Sequence, residues 1–127
     1  MNTLLFLYGT LKRGCSNHGQ MAGQKFIDLA RTPPGFRLFD LGGYPAISAV
    51  ADDRDGVFGE IWSVDPEGLE RLDHFEGVHE GLYRRDSIRL MPPFADQPVF
   101  AYFPGLPVTG HRDLGSEWVE RHRPTTP

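Results

Sequence analysis

The chain has 127 residues, of which 13 are basic and 17 acidic for a formal net charge of -4; 39% are hydrophobic and one is a cysteine. That length fits a single domain, 1–127, around one core; the apolar share excludes a disordered chain, and an acidic balance with no basic face argues against a nucleic-acid partner. One cysteine rules out an internal disulfide, and the short apolar stretch near the N-terminus is too brief for a signal peptide or a membrane span, so a cytoplasmic protein is the expectation.

Residues 4–8 form an apolar run that stops at Gly9 and reads as a buried first strand entering a loop. Ser16 or Asn17 can cap a short helical segment through Met21. Residues 25–32 and 36–41 read as strands on either side of Pro33-Pro34-Gly35, a breaker that neither a helix nor a ladder crosses. A small strand over 45–50 follows Gly42-Gly43. After the polar turn at 52–56, residues 57–64 make a strand, bulged at Gly59.

Asp65-Pro66-Glu67 then supplies an N-cap, a proline suited to the first helical position and an acid in the first turn. Leu69, Leu72 and Phe75 recur at helical spacing, and Gly77 ends a ten-residue helix. Residues 83–90 and 98–103 read as two more strands, and Ser116 caps a final short helix through Arg121. Six or seven short strands with one inserted helix make an α+β fold. Its expected form is a small mixed, mostly antiparallel β-barrel with flanking short helices, since closure removes sheet edges.

Residues 9–16 nearly spell a phosphate-binding loop, but Cys15 stands where that loop requires a lysine, so nucleotide binding is not expected. What remains is a loop able to turn successive backbone N–H groups toward one point, an anion or carbonyl cradle, against the plainer reading of a simple turn. Cys15 and His18 are three residues apart and suggest a nucleophile with its base, yet nothing elsewhere completes the arrangement. Asp73, His74, Glu76, His79 and Glu80 imitate a metal site. Their spacing matches no zinc pattern, so a solvated helix end is expected there and no metal.

Glu76 differs from these neighbours because it sits in the last turn of the helix, at the negative end of the helix dipole. Pointing into an apolar pocket lined by residues such as Phe6, Trp62 and Tyr83, it would have a pKa raised toward neutrality, as a group that accepts and returns a proton requires. Glu60, in the preceding strand, is the rival acid.

Tyr8-Gly9-Thr10-Leu11 after the first strand, Gly59-Glu60-Ile61-Trp62, then Leu72-Asp73-His74-Phe75-Glu76-Gly77 and Tyr83-Arg84-Arg85 together resemble the γ-glutamyl cyclotransferase-like superfamily. The stretch from Tyr8 to His18 is most similar to its γ-glutamylamine cyclotransferase branch. The resemblance implies a compact mixed β-barrel in which the Tyr-Gly-Thr-Leu loop and the helix-terminal Glu76 meet across one cavity. It also implies a reaction on a small-molecule γ-glutamyl substrate: the free α-amine attacks the side-chain carbonyl, giving 5-oxoproline and a released amine.

In that reading Glu76 is the catalytic base and acid, and the N–H groups of Gly9, Thr10 and Leu11 hold a carboxylate or the oxyanion. Tyr8 and Tyr83 line the cavity, Arg85 supports, and no metal, nucleotide or redox cofactor takes part. The residues that choose the amine are expected in 32–43 and 105–115. A non-catalytic small-molecule-binding or interaction protein of the same fold is the alternative.

Overall fold

The computed structural model describes residues 1–120. Eight strands are present among them: β1 (Thr3–Leu7), β2 (Lys25–Arg31), β3 (Phe36–Asp40), β4 (Pro45–Ala49), β5 (Phe58–Val64), β6 (Tyr83–Ser87), β7 (Val99–Pro104) and β8 (Arg112–Gly115). One α-helix, α1 (Pro66–Phe75), lies between β5 and β6, and short 3-10 helices occupy His18–Met21 and Val78–Glu80. A five-stranded sheet runs β2-β5-β1-β7-β6 and a three-stranded sheet runs β4-β3-β8. Only the β1–β7 pair is parallel. The fold is therefore α+β and mostly antiparallel, and the barrel is an approximation: β4 lies against β7 without joining its ladder.

Strand alternation explains how the core is divided. On β1, Phe6 faces the cluster that includes Leu38 and Ile47 of the smaller sheet, while Leu5 and Leu7 face the cluster containing Leu72 of α1. On β5, Ile61 joins the first group and Trp62 and Val64 the second. The large sheet is thus covered on one face by the three-stranded sheet and on the other by the helix, and its central strand β1 is buried on both.

The helix begins as its sequence dictates. The Asp65 side chain accepts a hydrogen bond from the Gly68 N–H at 2.7 Å, with Pro66 at the first helical position. Gly77, at φ 70°, takes the left-handed conformation that stops it.

Four expectations are corrected. The bulge lies on β2, between Phe26 and Asp28, not at Gly59. Gly59 is instead a place of close approach, where any Cβ would collide with the Leu7 carbonyl and the Phe6 ring. β6 ends at Ser87 instead of residue 90, because the chain turns away after the Ile88 N–H bonds to Val99 and Met91 donates to the Arg31 carbonyl of β2.

Residues 112–115 form a strand that the sequence reading missed. No helix follows Ser116 through residue 120, and Arg121 lies outside the described residues. The Ser116 carbonyl accepts from the Phe58 N–H at 2.8 Å, and the Glu120 side chain takes the Ser16 N–H and the Trp118 indole. A helix there would need the first of those groups for itself.

Candidate active site

Topology brings several chain segments to one end of the large sheet. β7 runs parallel to β1, so both finish at the same edge, and β6 starts there because Tyr83 pairs with Pro104. The loop after β1, the end of α1 and the start of β4 converge on that edge around a cavity of about 580 Å³. Tyr8, Gly9, Thr10, Leu11, Glu76 and Tyr83 all line it.

Glu76 caps the C-terminus of α1, its N–H bonded to the Leu72 carbonyl at 2.8 Å. Its carboxylate has neither a hydrogen bond nor an ion pair to any described residue. Burial pushes its pKa up to about 7. The sequence reading named two causes, burial and the helix dipole; burial is the cause the structure identifies. Three tyrosines face this acid. Burial raises the hydroxyls of Tyr8, Tyr83 and Tyr102 above the ordinary tyrosine range, and the charge of Glu76 adds to each.

Each of these rings is tied down. Tyr8 donates to the Tyr102 carbonyl at 2.6 Å, Tyr83 to the Pro45 carbonyl at 3.2 Å, and Tyr102 to the Asp73 carboxylate at 2.7 Å. Asp73 lies one helical turn before Glu76 and accepts both arms of Arg85, at 2.9 and 3.0 Å. Burial pushes the Asp73 pKa up, but Arg85 and Tyr102 outweigh it and hold it below the usual carboxylate range. Arg85 therefore touches the site only through its neighbours.

The loop after Tyr8 is held by its carbonyls. Those of Gly9, Thr10 and Leu11 accept from the Lys12 N–H, the Asn17 N–H and the His18 ring respectively. Their own N–H groups have no partner among the described residues, as an anion cradle requires. Gly9 is required at its position: a Cβ there would stand 2.8 Å from the Pro45 ring.

Glu60 is excluded as the rival. It is 6% exposed and its carboxylate is taken by the Arg13 N–H at 3.1 Å, the Arg13 guanidinium at 3.0 Å and the Trp62 indole at 3.1 Å. Trp62 goes with it and does not line the cavity, whereas Phe6 does. Cys15 and His18 are not a catalytic pair: the His18 ring is bonded to the Leu11 carbonyl and packed edge-on to Trp62, and burial, with Glu120 nearby, pushes the Cys15 thiol up. Among the described residues no three His, Cys, Asp or Glu side chains gather as a metal site would need, and no helix is long and apolar enough to cross a membrane.

Tyr102, Asn17 and Tyr44 also line the cavity, and none of them was given a role in the site from the sequence. A signal for Tyr102 existed in the alternation of β7, where Val99, Ala101 and Phe103 face one core cluster and Tyr102 the other.

Residues 5–120 match the family model described as "Gamma-glutamyl cyclotransferase, AIG2-like". A Vibrio cholerae protein provisionally named a gamma-glutamylcyclotransferase is 36% identical over 102 residues, covering 80% of this chain and 84% of that protein. Gamma-glutamylaminecyclotransferase A of Danio rerio is 39% identical over 93 residues, covering 68% of this chain and 57% of its own length. The chain thus spans little more than half of that relative. The crystal structure of an AIG2-like protein from Mus musculus superposes with a TM-score of 0.72 at 26% identity, over 96% of this chain and 98% of that one.

Proposed function

Because the chain belongs to the gamma-glutamyl cyclotransferase, AIG2-like family, we propose that it cyclises a γ-glutamyl group to 5-oxoproline with release of an amine, and that Glu76 moves the protons. One observation carries this reading above the others: an unpaired carboxylate with a pKa near 7 stands in the same cavity as three unpartnered backbone N–H groups. An acid serving only structure would be paired, as Asp73 and Glu60 are.

The α-ammonium of the substrate gives a proton to the Glu76 carboxylate, and the freed nitrogen attacks the γ-carbonyl carbon. A C–N bond forms and negative charge collects on the carbonyl oxygen. The bond to the leaving nitrogen then breaks as that nitrogen takes a proton from Glu76. In total the α-nitrogen gives up two protons and the leaving nitrogen gains two, so no water is consumed and the acid ends as it began. The N–H groups of Gly9, Thr10 and Leu11 hold the substrate carboxylate or the oxyanion. Attack within one molecule lets the cavity act by folding the substrate into reach, and Tyr8 and Tyr83 form the walls that do so.

The test is 5-oxoproline release from γ-glutamyl-amines, γ-glutamyl-amino acids and glutathione, comparing the parent with Glu76→Gln. Turnover by the parent and loss of about a hundredfold or more in the folded variant is the expected result. A folded parent that releases nothing from any of them refutes the reading and leaves a binding protein of the same fold.

A further inference from the structure

Asn17 stands where a short helix begins and does not cap it. It precedes the 3-10 turn His18–Met21, a position at which an asparagine ordinarily lends its side-chain oxygen to a backbone N–H, yet its side chain makes no such bond. The side chain turns back to the loop after β1 instead. Its Nδ2 donates to the Thr10 hydroxyl oxygen at 3.0 Å, and the Asn17 backbone N–H donates to the Thr10 carbonyl at 2.9 Å. Asn17 thus grips Thr10 by both side chain and backbone, and both residues line the cavity that holds Glu76.

The direction of the side-chain bond decides what Thr10 can do. A hydroxyl has one proton to give and lone pairs to receive with. Asn17 is the donor, so the Thr10 proton is not spent on it, and no other described residue accepts that proton. The other hydroxyls of the cavity differ. Tyr8, Tyr83 and Tyr102 give theirs to the Tyr102 carbonyl, the Pro45 carbonyl and the Asp73 carboxylate, and Ser16 gives its own to Glu120. Tyr44 is 44% exposed, so water serves it. Thr10 keeps an unspent hydroxyl proton in the same loop as the unpartnered N–H groups of Gly9, Thr10 and Leu11.

Resting on the cyclisation proposed above, we infer that Asn17 is a positioning residue: by filling a lone pair of the Thr10 hydroxyl, it leaves that hydroxyl's proton to the negatively charged substrate oxygen that the loop N–H groups hold. The hydroxyl then adds a side-chain donor to the backbone cradle, and a bond to a charged oxygen is stronger than one to a neutral partner. An acceptor at position 17 does the reverse. It takes the Thr10 proton and turns the hydroxyl lone pairs toward an anion.

Asn17→Asp tests this, because it keeps the size of the side chain and, ionised, can only accept. The clasp on Thr10 survives with its direction reversed, so a purely structural role predicts the parent's rate. kcat/KM for 5-oxoproline release is read on whichever of the γ-glutamyl-amines, γ-glutamyl-amino acids and glutathione the parent turns over. Asn17→Asp is expected to lower it by about tenfold, and Thr10→Val by about as much. Direct repulsion of the substrate by the new charge is the competing route, and a double-mutant cycle separates the two. In the Thr10→Val background, or in Thr10→Ala should the valine variant not fold, Asn17→Asp is expected to cost less than about twofold more, since no hydroxyl proton remains to be taken. Thr10→Ser, which keeps the hydroxyl, is expected to be faster than Thr10→Val by about fivefold. A tenfold loss in both backgrounds, or Asn17→Asp at the parent's rate, overturns the role of Asn17 while the cyclisation stands. No release by the folded parent from any of those substrates overturns both.

Discussion

With its raised pKa, Glu76 is expected to act on the proposed activity and on stability in opposite directions as pH changes. As the proposed base it would work ionised, so kcat/KM is expected to rise with pH through about 7. Its effect on stability runs the other way. The folded carboxyl titrates at about 7 against 4.5 for a free one, so between those values the native state holds a proton that the unfolded chain has released. The stabilising share of this group is complete below about 4.5 and is lost as pH rises through about 7. Glu76→Gln keeps the shape and removes the titration. Denaturant unfolding at about pH 8 is expected to find that variant more stable than the parent by on the order of 2 kcal/mol, with the difference shrinking as pH falls and gone by about pH 4. An identical pH dependence in both proteins contradicts a raised carboxyl. At Cys15 the expectation is plainer: Cys15→Ser retains turnover within about twofold, and a folded variant that loses activity would return the thiol to the site.

At the scale of elements, the loop after β1 is fastened from outside the cavity. Arg13 joins it to Glu60 of β5, while Lys12 and Ser16 bond to the Trp118 carbonyl and the Glu120 carboxylate. Arg13→Ala removes the cation from the Glu60 side chain, which is 8% exposed with the pair intact, and is expected to cost about 1–3 kcal/mol in urea unfolding. If the loop N–H groups hold the substrate carboxylate as proposed, it is also expected to raise KM for the γ-glutamyl substrate more than it lowers kcat; the reverse split would assign them to the oxyanion. A KM equal to the parent's would show that the loop holds its shape without the pair.

How much of this was legible depends on what each element relies upon. α1 could be read because its start and stop are local chemistry, the Asp65 cap and Gly77. β1 and β5 of the large sheet could be read because their apolar residues are buried. β8 could not. Its four residues, Arg-Asp-Leu-Gly, carry little strand propensity, and the strand exists through β3, where Arg37 clasps Asp113 at 2.8 Å. Ser116 resembled a helix cap only while its partner Phe58, far away in sequence, was unknown. In the same way, the spacing of Glu60 and Glu76 could not rank the two acids. Their difference lies chiefly in Arg13, which reaches Glu60 across the fold, while Trp62, two residues on in the same strand, adds a second donor; Glu76 has neither.

At the scale of the whole molecule, the cavity lies where the two sheets meet. The loop of the large sheet touches the smaller one at Gly9 and Pro45, and Tyr83 reaches across to the Pro45 carbonyl. Gly9→Ala would put a Cβ 2.8 Å from one carbon of the Pro45 ring and 3.2 Å from another, and a ring cannot swing aside. The sheets must part by a few tenths of an ångström. The expected cost is about 1–3 kcal/mol in thermal or denaturant unfolding, with kcat/KM lowered by about tenfold or more as Tyr83 and the loop lose alignment. An alanine variant unchanged in both would place the joint elsewhere.

The proposed reaction turns on one carboxylate, Glu76. The measurement that tests it most directly is a carbon-13 NMR titration of the Glu76 side-chain carboxyl, set beside the pH profile of kcat/KM for 5-oxoproline release. Coincident midpoints near 7, with the activity limb lost in Glu76→Gln, are the predicted result. A carboxyl titrating near 4.5 while activity still changes around neutral pH would contradict the assignment and place the proton-moving group elsewhere.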